Sequence, residues 1–139
     1  MVNQKEKLVW CCQICGYIYQ DTKPPEECPV CHNPKTVFNG TKIEEIKEKQ
    51  ILENFEKHVN WVAKTFYQFK IKLNPNKNIV AALAKQELKN LKTYGQAYCP
   101  CRLRTGNSIV DRKIICPCIF YPGEVETHGT CHCRLYFKD

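Results

Sequence analysis

Eleven cysteines in a chain of 139 residues predict either a disulfide framework or bound metal, because ordinary globular proteins carry far fewer. Residues 1–8 lack the apolar core of a signal peptide, and no apolar run reaches the roughly 18 residues of a membrane span, which predicts a cytoplasmic protein with no membrane partner. The formal charge of +7 arises mainly in residues 41–95 and is typical of a solvated helix face, although it would also suit an acidic electron carrier or nucleic acid.

The first segment, residues 9–38, is rich in cysteine, proline and aromatic residues and has no helical period. Strand-like residues from Gly16 to Tyr19 alternate with turn signals at Pro24-Pro25 and Asn33-Pro34. We expect a small β-rich domain over residues 1–40, held together by metal because so short a fragment rarely folds on its own apolar core.

Helices are predicted for the middle of the chain. Thr41 and Glu44 form a capping box, which predicts that a helix begins there. A break is expected between Asn54 and Asn60, because an unbroken helix as long as the pattern would be unusual. The apolar stripe predicted to face the core consists of Ile43, Ile46, Leu52, Phe55, Val59, Val62, Phe66 and Phe69.

A second amphipathic helix is predicted from about Asn78 to Tyr94, and Gly95 is placed to end it in the left-handed conformation. From Cys99 onward little helical period remains, and we expect loops. The predicted fold class is therefore a mainly α domain over residues 41–139 beside the small β-rich domain. The inward residues of the second helix are Ile79, Leu83, Leu88 and Leu91.

Two Cys-x-x-Cys pairs, Cys12 with Cys15 and Cys28 with Cys31, supply four thiolates in two tight loops. This arrangement gives iron or zinc a tetrahedral sulfur site. Gly16 follows the first pair and suits a backbone with positive φ, which lets amides point at sulfur. The sequence predicts a metal site here and leaves iron and zinc open.

The runs Cys12-Gln-Ile-Cys15-Gly-Tyr and Cys28-Pro-Val-Cys31 resemble the short rubredoxin domain that is appended to rubrerythrins, over about residues 9–38. The resemblance implies one mononuclear iron that cycles between ferric and ferrous states. A structural zinc is the alternative, and the neighbouring aromatic residues favour iron. Cys11 lies one residue too early for the motif and is predicted to be a free or packed thiol.

Three Cys-x-Cys motifs, at residues 99–101, 116–118 and 131–133, are the most specific feature of the sequence. A [4Fe-4S] cluster takes four thiolates, which leaves two cysteines that can form a redox-active disulfide. Opening a disulfide needs two electrons, whereas ferredoxins deliver one at a time. A cluster beside the disulfide can stabilise the half-reduced state by binding one of the freed sulfurs.

The order Cys-Pro-Cys, Cys-Pro-Cys, Cys-His-Cys resembles the catalytic chain of ferredoxin:thioredoxin reductase, and the likeness extends over about residues 50–139. It implies an oxidoreductase that takes single electrons from ferredoxin or a similar donor and reduces thioredoxin-like or other protein disulfides. It also implies that Cys101 and Cys133 form the active-site disulfide, with Cys101 attacking the target, and that His132 positions or protonates sulfur or simply packs beside it. The cluster ligands that the resemblance implies are Cys99, Cys116, Cys118 and Cys131.

Departures from that family concern loops and partners. The spacer between the second and third motifs, residues 119–130, is longer than in the plant and cyanobacterial enzymes, which leaves the target protein open. Those enzymes also have a separate small partner chain, whose place the N-terminal module or a homo-oligomer would take here.

Two other functions remain as alternatives. A zinc protein that binds nucleic acid through its basic middle segment would account for the first four cysteines and the charge. It leaves the Cys-x-Cys motifs unexplained, because one intervening residue is tighter than the usual spacing of zinc ligands, so nucleic-acid binding is disfavoured. The other alternative is a non-catalytic iron-sulfur electron carrier in which Cys101 and Cys133 are inert.

Overall fold

The structure, a computed structural model, describes residues 7–139, so the prediction about residues 1–8 falls almost entirely outside the described part. None of the helices in that part is both long enough and apolar enough to cross a membrane. The elements in chain order are β1 (Leu8–Cys12), β2 (Ile18–Asp21), β3 (Phe38–Lys42), α1 (Glu48–Thr65), β4 (Ile71–Leu73), α2 (Lys77–Tyr94), α3 (Ser108–Asp111), α4 (Tyr121–His128) and β5 (Tyr136–Lys138).

The N-terminal part is a three-stranded antiparallel sheet in the order β2-β1-β3. In the central strand Val9 lies opposite Gln20 on one side and Thr41 on the other, and its side chain is fully buried. The cysteine loops connect these strands, because each tight turn ends one strand and begins the path to the next. The expectation of a small β-rich N-terminal part is confirmed.

The predicted start of the first helix is wrong. Thr41 belongs to β3, where pairing with Val9 uses its backbone groups, and Ile43–Glu45 form a single 3₁₀ turn before α1 begins at Glu48. The predicted break is also wrong, because α1 is continuous and ends where Phe66 becomes extended. Most of the predicted stripe does pack in the core, although Phe66 is 43% exposed.

The second helix is confirmed almost to the residue. The side-chain oxygen of Asn76 accepts a hydrogen bond from the backbone N–H of Asn78 at 3.0 Å and caps the first turn of α2. Gly95 ends the helix with a φ of 90°. Leu83 and Leu91 are buried against α1, as the periodicity predicts.

The expectation of loops from Cys99 onward is wrong in part, since α3, α4 and β5 all lie there. Pro122 and Gly123 weaken the helical signal of α4, and its only buried side chains are Tyr121 and Val125. Strand β5 pairs with β4, with Leu73 opposite Tyr136. The fold class is thus confirmed in its coarse form of helices beside a small strand-rich part, and the domain division at residue 40 stays a prediction.

Candidate metal centres

The first candidate centre, called here the knuckle site, consists of Cys12, Cys15, Cys28 and Cys31. The four Sγ atoms all lie within 4.8 Å of one another, with Sγ–Sγ distances of 3.5 Å for Cys15 and Cys28 and 3.7 Å for Cys12 and Cys31. Three of the side chains are buried and Cys31 is half-buried. Four thiols this close together have the donor chemistry and spacing that one tetrahedral metal ion requires, so a mononuclear iron or zinc fits here.

One backbone amide of the knuckle site points at sulfur, because the N–H of Cys15 donates to the Sγ of Cys12 at 3.5 Å. Gly16 has the predicted positive φ, 82°, and its N–H donates to the carbonyl of Cys12 at 3.1 Å. The side-chain amide of Asn33 donates to the sulfur of Cys31 at 3.2 Å. Hydrogen bonds from the Cys15 and Cys28 thiols lower the pKa of Cys12.

Cys11 and His32, which are not predicted from the sequence to be metal ligands, lie outside the group of four sulfurs. Cys11 is buried in the apolar core, and burial raises the pKa of its thiol. His32, predicted to be an ordinary neighbour, lies at the surface and pairs with Glu27 through a contact of 3.2 Å.

The second candidate centre, called here the cysteine pocket, is lined by five of the six Cys-x-Cys cysteines together with Tyr121, His132 and Tyr136. The five cysteines are all buried. The structure therefore brings the four cluster ligands implied by the resemblance into one place, and it adds one of the two disulfide partners. The lining cysteines are Cys99, Cys116, Cys118, Cys131 and Cys133.

Local structure explains how three distant motifs meet. The N–H of Cys99 donates to the carbonyl of Ile114 at 2.7 Å, and the N–H of Cys116 donates to the carbonyl of Ala97 at 3.0 Å, so the first two motifs lie on paired extended segments. The third motif is held by β5, because the N–H of Cys131 donates to the carbonyl of Tyr136 at 3.0 Å.

The remaining predicted catalytic cysteine lies apart from the pocket lining. Cys101 is exposed, whereas Cys133 is buried, and both thiols are free in the structure. The pKa of Cys101 is raised, first by partial burial and then by the nearby charges of Cys99 and Cys131. The pairing of Cys101 with Cys133 and the predicted role of His132, whose exposed side chain lines the pocket, stay predictions.

Sequence reasoning missed Glu87, a fully buried carboxylic acid on α2 beside the cysteine pocket. One of its carboxyl oxygens has no hydrogen-bond partner among the described residues, and burial raises its pKa well above the usual value despite a hydrogen bond with Cys116. The signal was available, because Glu87 falls midway between Leu83 and Leu91 on the predicted inward face of the helix.

Helix α1 contacts both centres through polar residues that the sequence reading also missed. The side-chain amide of Asn54 donates to the carbonyl of Gly16 at 3.0 Å. One turn later, Nε2 of His58 and the hydroxyl of Tyr121 share a hydrogen bond of 2.7 Å, and burial lowers the pKa of this imidazole to about 4. Their i, i+4 spacing beside the apolar stripe was the available signal.

The donor set of the cysteine pocket fits an iron-sulfur cluster. Its lining is dominated by thiols, and hydrogen bonds from Cys118 and Cys133 lower the pKa of Cys99. The backbone N–H of Tyr136 also points at the sulfur of Cys131, at 3.4 Å. Backbone amides directed at cysteine sulfur are typical of iron-sulfur sites.

Comparison with known proteins gives a separate match for the part of the chain around each candidate centre. The family model of the ferredoxin thioredoxin reductase catalytic beta chain matches residues 47–139, and that of the rubrerythrin rubredoxin-like domain matches residues 10–39. A candidate rubrerythrin of Methanocaldococcus jannaschii is 42% identical over 38 residues, which are 27% of this chain and 19% of the relative. A rubrerythrin of Porphyromonas gingivalis is 35% identical over 40 residues, 29% of this chain and 20% of the relative. The chain thus spans about a fifth of the length of these curated relatives.

Proposed function

We propose that this chain, which belongs to the family of the ferredoxin thioredoxin reductase catalytic beta chain, is a disulfide reductase that accepts single electrons from a ferredoxin-type donor and reduces a protein disulfide. The observation that carries this proposal is the unequal placement of six cysteines. Five line one buried pocket, whereas Cys101 is exposed, where another protein can reach it. A thioredoxin-like protein is the proposed type of target.

The pocket thiols divide into two proposed roles. Cys99, Cys116, Cys118 and Cys131 would hold a [4Fe-4S] cluster, which when bound supplies electrons one at a time. Cys133 and Cys101 would be the exchanging pair. This division leaves one exposed thiol and one buried thiol for thiol–disulfide exchange. The exposed thiol can attack the disulfide of a large partner protein, and the buried thiol can then attack the mixed disulfide from within the protein.

In the proposed reaction the Cys101 thiolate attacks one sulfur of the target disulfide. A Cys101–target bond forms, the target S–S bond breaks, and the released target thiolate takes up a proton. The Cys133 thiolate then attacks the sulfur of Cys101, which releases the second target thiol and leaves a Cys101–Cys133 disulfide. The target has gained two electrons and two protons, and two single electrons from the donor with two protons restore both cysteines.

His132 is proposed to serve this exchange as a proton carrier. Its exposed side chain lines the cysteine pocket and lies between Cys131 and Cys133 in the chain. An imidazole in this position can hand a proton to a leaving thiolate, because a histidine ring both takes up and releases protons.

The direction of the proposed reaction is favourable. A plant-type ferredoxin has a potential of about −400 mV and thioredoxin one of about −270 mV, so two electrons release roughly 6 kcal/mol.

The knuckle site is proposed to hold a mononuclear iron within a rubredoxin-like domain, residues 1–40. Iron there would exchange electrons, whereas zinc would only stabilise the fold.

Replacement of the exposed thiol tests the proposal. In anaerobically purified Cys101→Ser, we expect reduction of a thioredoxin disulfide by reduced ferredoxin to fall by roughly 10³-fold or more, since the attacking sulfur is gone. Iron and acid-labile sulfide should stay at the wild-type level. The matched control is Cys11→Ser, which removes a buried thiol outside both centres and should keep the activity. Turnover in Cys101→Ser at the wild-type rate would contradict the proposal, because it would show that Cys101 is not the attacking sulfur.

A further inference from the structure

Helix α4 lies within the spacer between the second and third cysteine motifs, and it presents two glutamates with different surroundings. The side chain of Glu124 is 22% exposed, whereas Glu126 is exposed on the outer side of the same helix. Glu124 therefore lies in a contact region, and Glu126 offers a matched reference for it.

The Glu124 carboxylate joins two loops that are far apart in the sequence. Its Oε2 accepts a hydrogen bond from Nη2 of Arg102, and its Oε1 accepts one from the backbone N–H of His132 at 3.2 Å. Arg102 directly follows Cys101, and His132 directly precedes Cys133. One carboxylate is thus hydrogen bonded to the immediate chain neighbours of both proposed exchanging cysteines.

The arginine in this contact is itself fixed in place. Its guanidinium carbon lies 4.9 Å from the centroid of the Phe120 ring, and its side chain is only 22% exposed. Its backbone N–H donates to the carbonyl of Cys99 at 3.2 Å. A charge-assisted hydrogen bond from a partly buried, oriented guanidinium is stronger and more directional than one at the open surface.

We propose that Glu124 is a positioning residue that holds the Cys101 loop against the Cys133 loop, and the inference rests on the proposed function of these two cysteines. Two hydrogen bonds accepted by one carboxylate limit how far the loops separate, which raises the effective concentration of one thiol at the other. A higher effective concentration favours closing of the disulfide and makes its potential more negative. Glu124 tunes the pair through Arg102 and His132 without itself exchanging electrons or protons.

The test is a redox titration of the holoprotein in dithiothreitol buffers, read by alkylation and mass spectrometry of the peptides that contain Cys101 and Cys133. We expect Glu124→Ala to lower the equilibrium constant for closing the disulfide about tenfold, a shift of about 30 mV toward less negative potential. Glu124→Gln retains one acceptor oxygen and should shift less. Glu126→Ala, on the same helix, should titrate like the wild type.

A potential of Glu124→Ala equal to that of Glu126→Ala would overturn the proposal. Iron and sulfide content identify a variant that fails to assemble. If Glu124→Ala fails in this way, the potential of Glu124→Gln is compared with that of Glu126→Ala instead. Loss of iron from both Glu124 variants would also overturn the proposal, because it would show a role of Glu124 in assembly instead of positioning. If the wild type shows no linked Cys101–Cys133 peptide at any potential, it is the proposed function that fails.

Discussion

The knuckle site and the cysteine pocket are both built from Cys-rich loops, but they differ in how many sulfurs they hold beyond those a metal needs. The knuckle site has four Sγ atoms within 4.8 Å of one another and no fifth cysteine in the set. The cysteine pocket has five lining cysteines and an exposed sixth, Cys101. One metal centre takes four thiolates, so two sulfurs are left over in the second region, and the exposure of one of them, Cys101, favours thiol–disulfide exchange there.

The largest effect expected is the loss of a whole metal ion from one region alone. Cys28 is fully buried, and its Sγ is one of the four grouped sulfurs of the knuckle site. In Cys28→Ser we expect one metal ion fewer per chain, because a serine hydroxyl is a poor ligand for iron or zinc. Iron, zinc and acid-labile sulfide analysis with a visible spectrum measures the change.

For the wild type, about five iron and four sulfide per chain would correspond to a rubredoxin-type iron plus a [4Fe-4S] cluster. Four iron with one zinc would remove the electron-transfer role of the knuckle site. Cys11→Ser is the control and should keep every metal. Loss of iron from the cysteine pocket in Cys28→Ser would contradict this prediction, because it would show that the two centres do not bind metal independently.

A second test concerns the close approach of the knuckle loop to α1. A Cβ added at Gly16 would lie 2.2 Å from the carbonyl oxygen of Asn54, and the φ of 82° is strained for any side chain. We expect Gly16→Ala to lower the free energy of unfolding of the metal-loaded protein by about 3 kcal/mol or more. Denaturant titration followed by circular dichroism measures it.

Gly106 is the matched control for that substitution. It has a similar φ of 90°, but an added Cβ would meet no atom of residues 7–139 within 4 Å. Gly106→Ala should therefore cost only the left-handed strain, about 1–2 kcal/mol. Equal losses in the two variants would show that the contact with α1 has no energetic weight.

The smallest effect is expected for the hydrogen bond between His58 and Tyr121, which connects α1 with the lining of the cysteine pocket. Tyr121→Phe removes the hydroxyl and leaves Nε2 of a buried imidazole without its partner at 2.7 Å. We expect the free energy of unfolding to fall by about 1–2 kcal/mol. Tyr67→Phe, at a side chain that is 90% exposed, should leave stability unchanged, and an equal loss in both would argue against the bond.

Local signals predicted those elements that local energetics determine. Helix α2 has an Asn cap, an apolar period and a terminal glycine, all of which act within a few residues, and its bounds are confirmed. The capping box at Thr41 failed because a strand partner more than thirty residues away, Val9, takes up the backbone of that segment. A pattern within one segment does not reveal pairing at that distance.

The candidate sites show the same division. The Cys-x-x-Cys and Cys-x-Cys spacings indicate which thiols belong together, and the structure groups all four knuckle cysteines and five of the other six. Their roles as ligands or exchanging thiols stay predictions. The spacing of Glu87 and His58 along their helices could have indicated that they face inward, but spacing does not reveal which group lies across the core. Glu124 was missed because nothing in its local sequence marks its contacts with Arg102 and His132.

The fit between Gly16 and α1 limits which cysteine loops could replace this one in the chain. A module joined through a loose tether could be exchanged for any homologous module, but this loop has its backbone against Asn54, with no room for a side chain at Gly16. A substitute module must bring a glycine at that position and dock on an amide supplied by the other half. A change in the loop around Gly16 therefore constrains which changes α1 can accept near Asn54, and the reverse also holds.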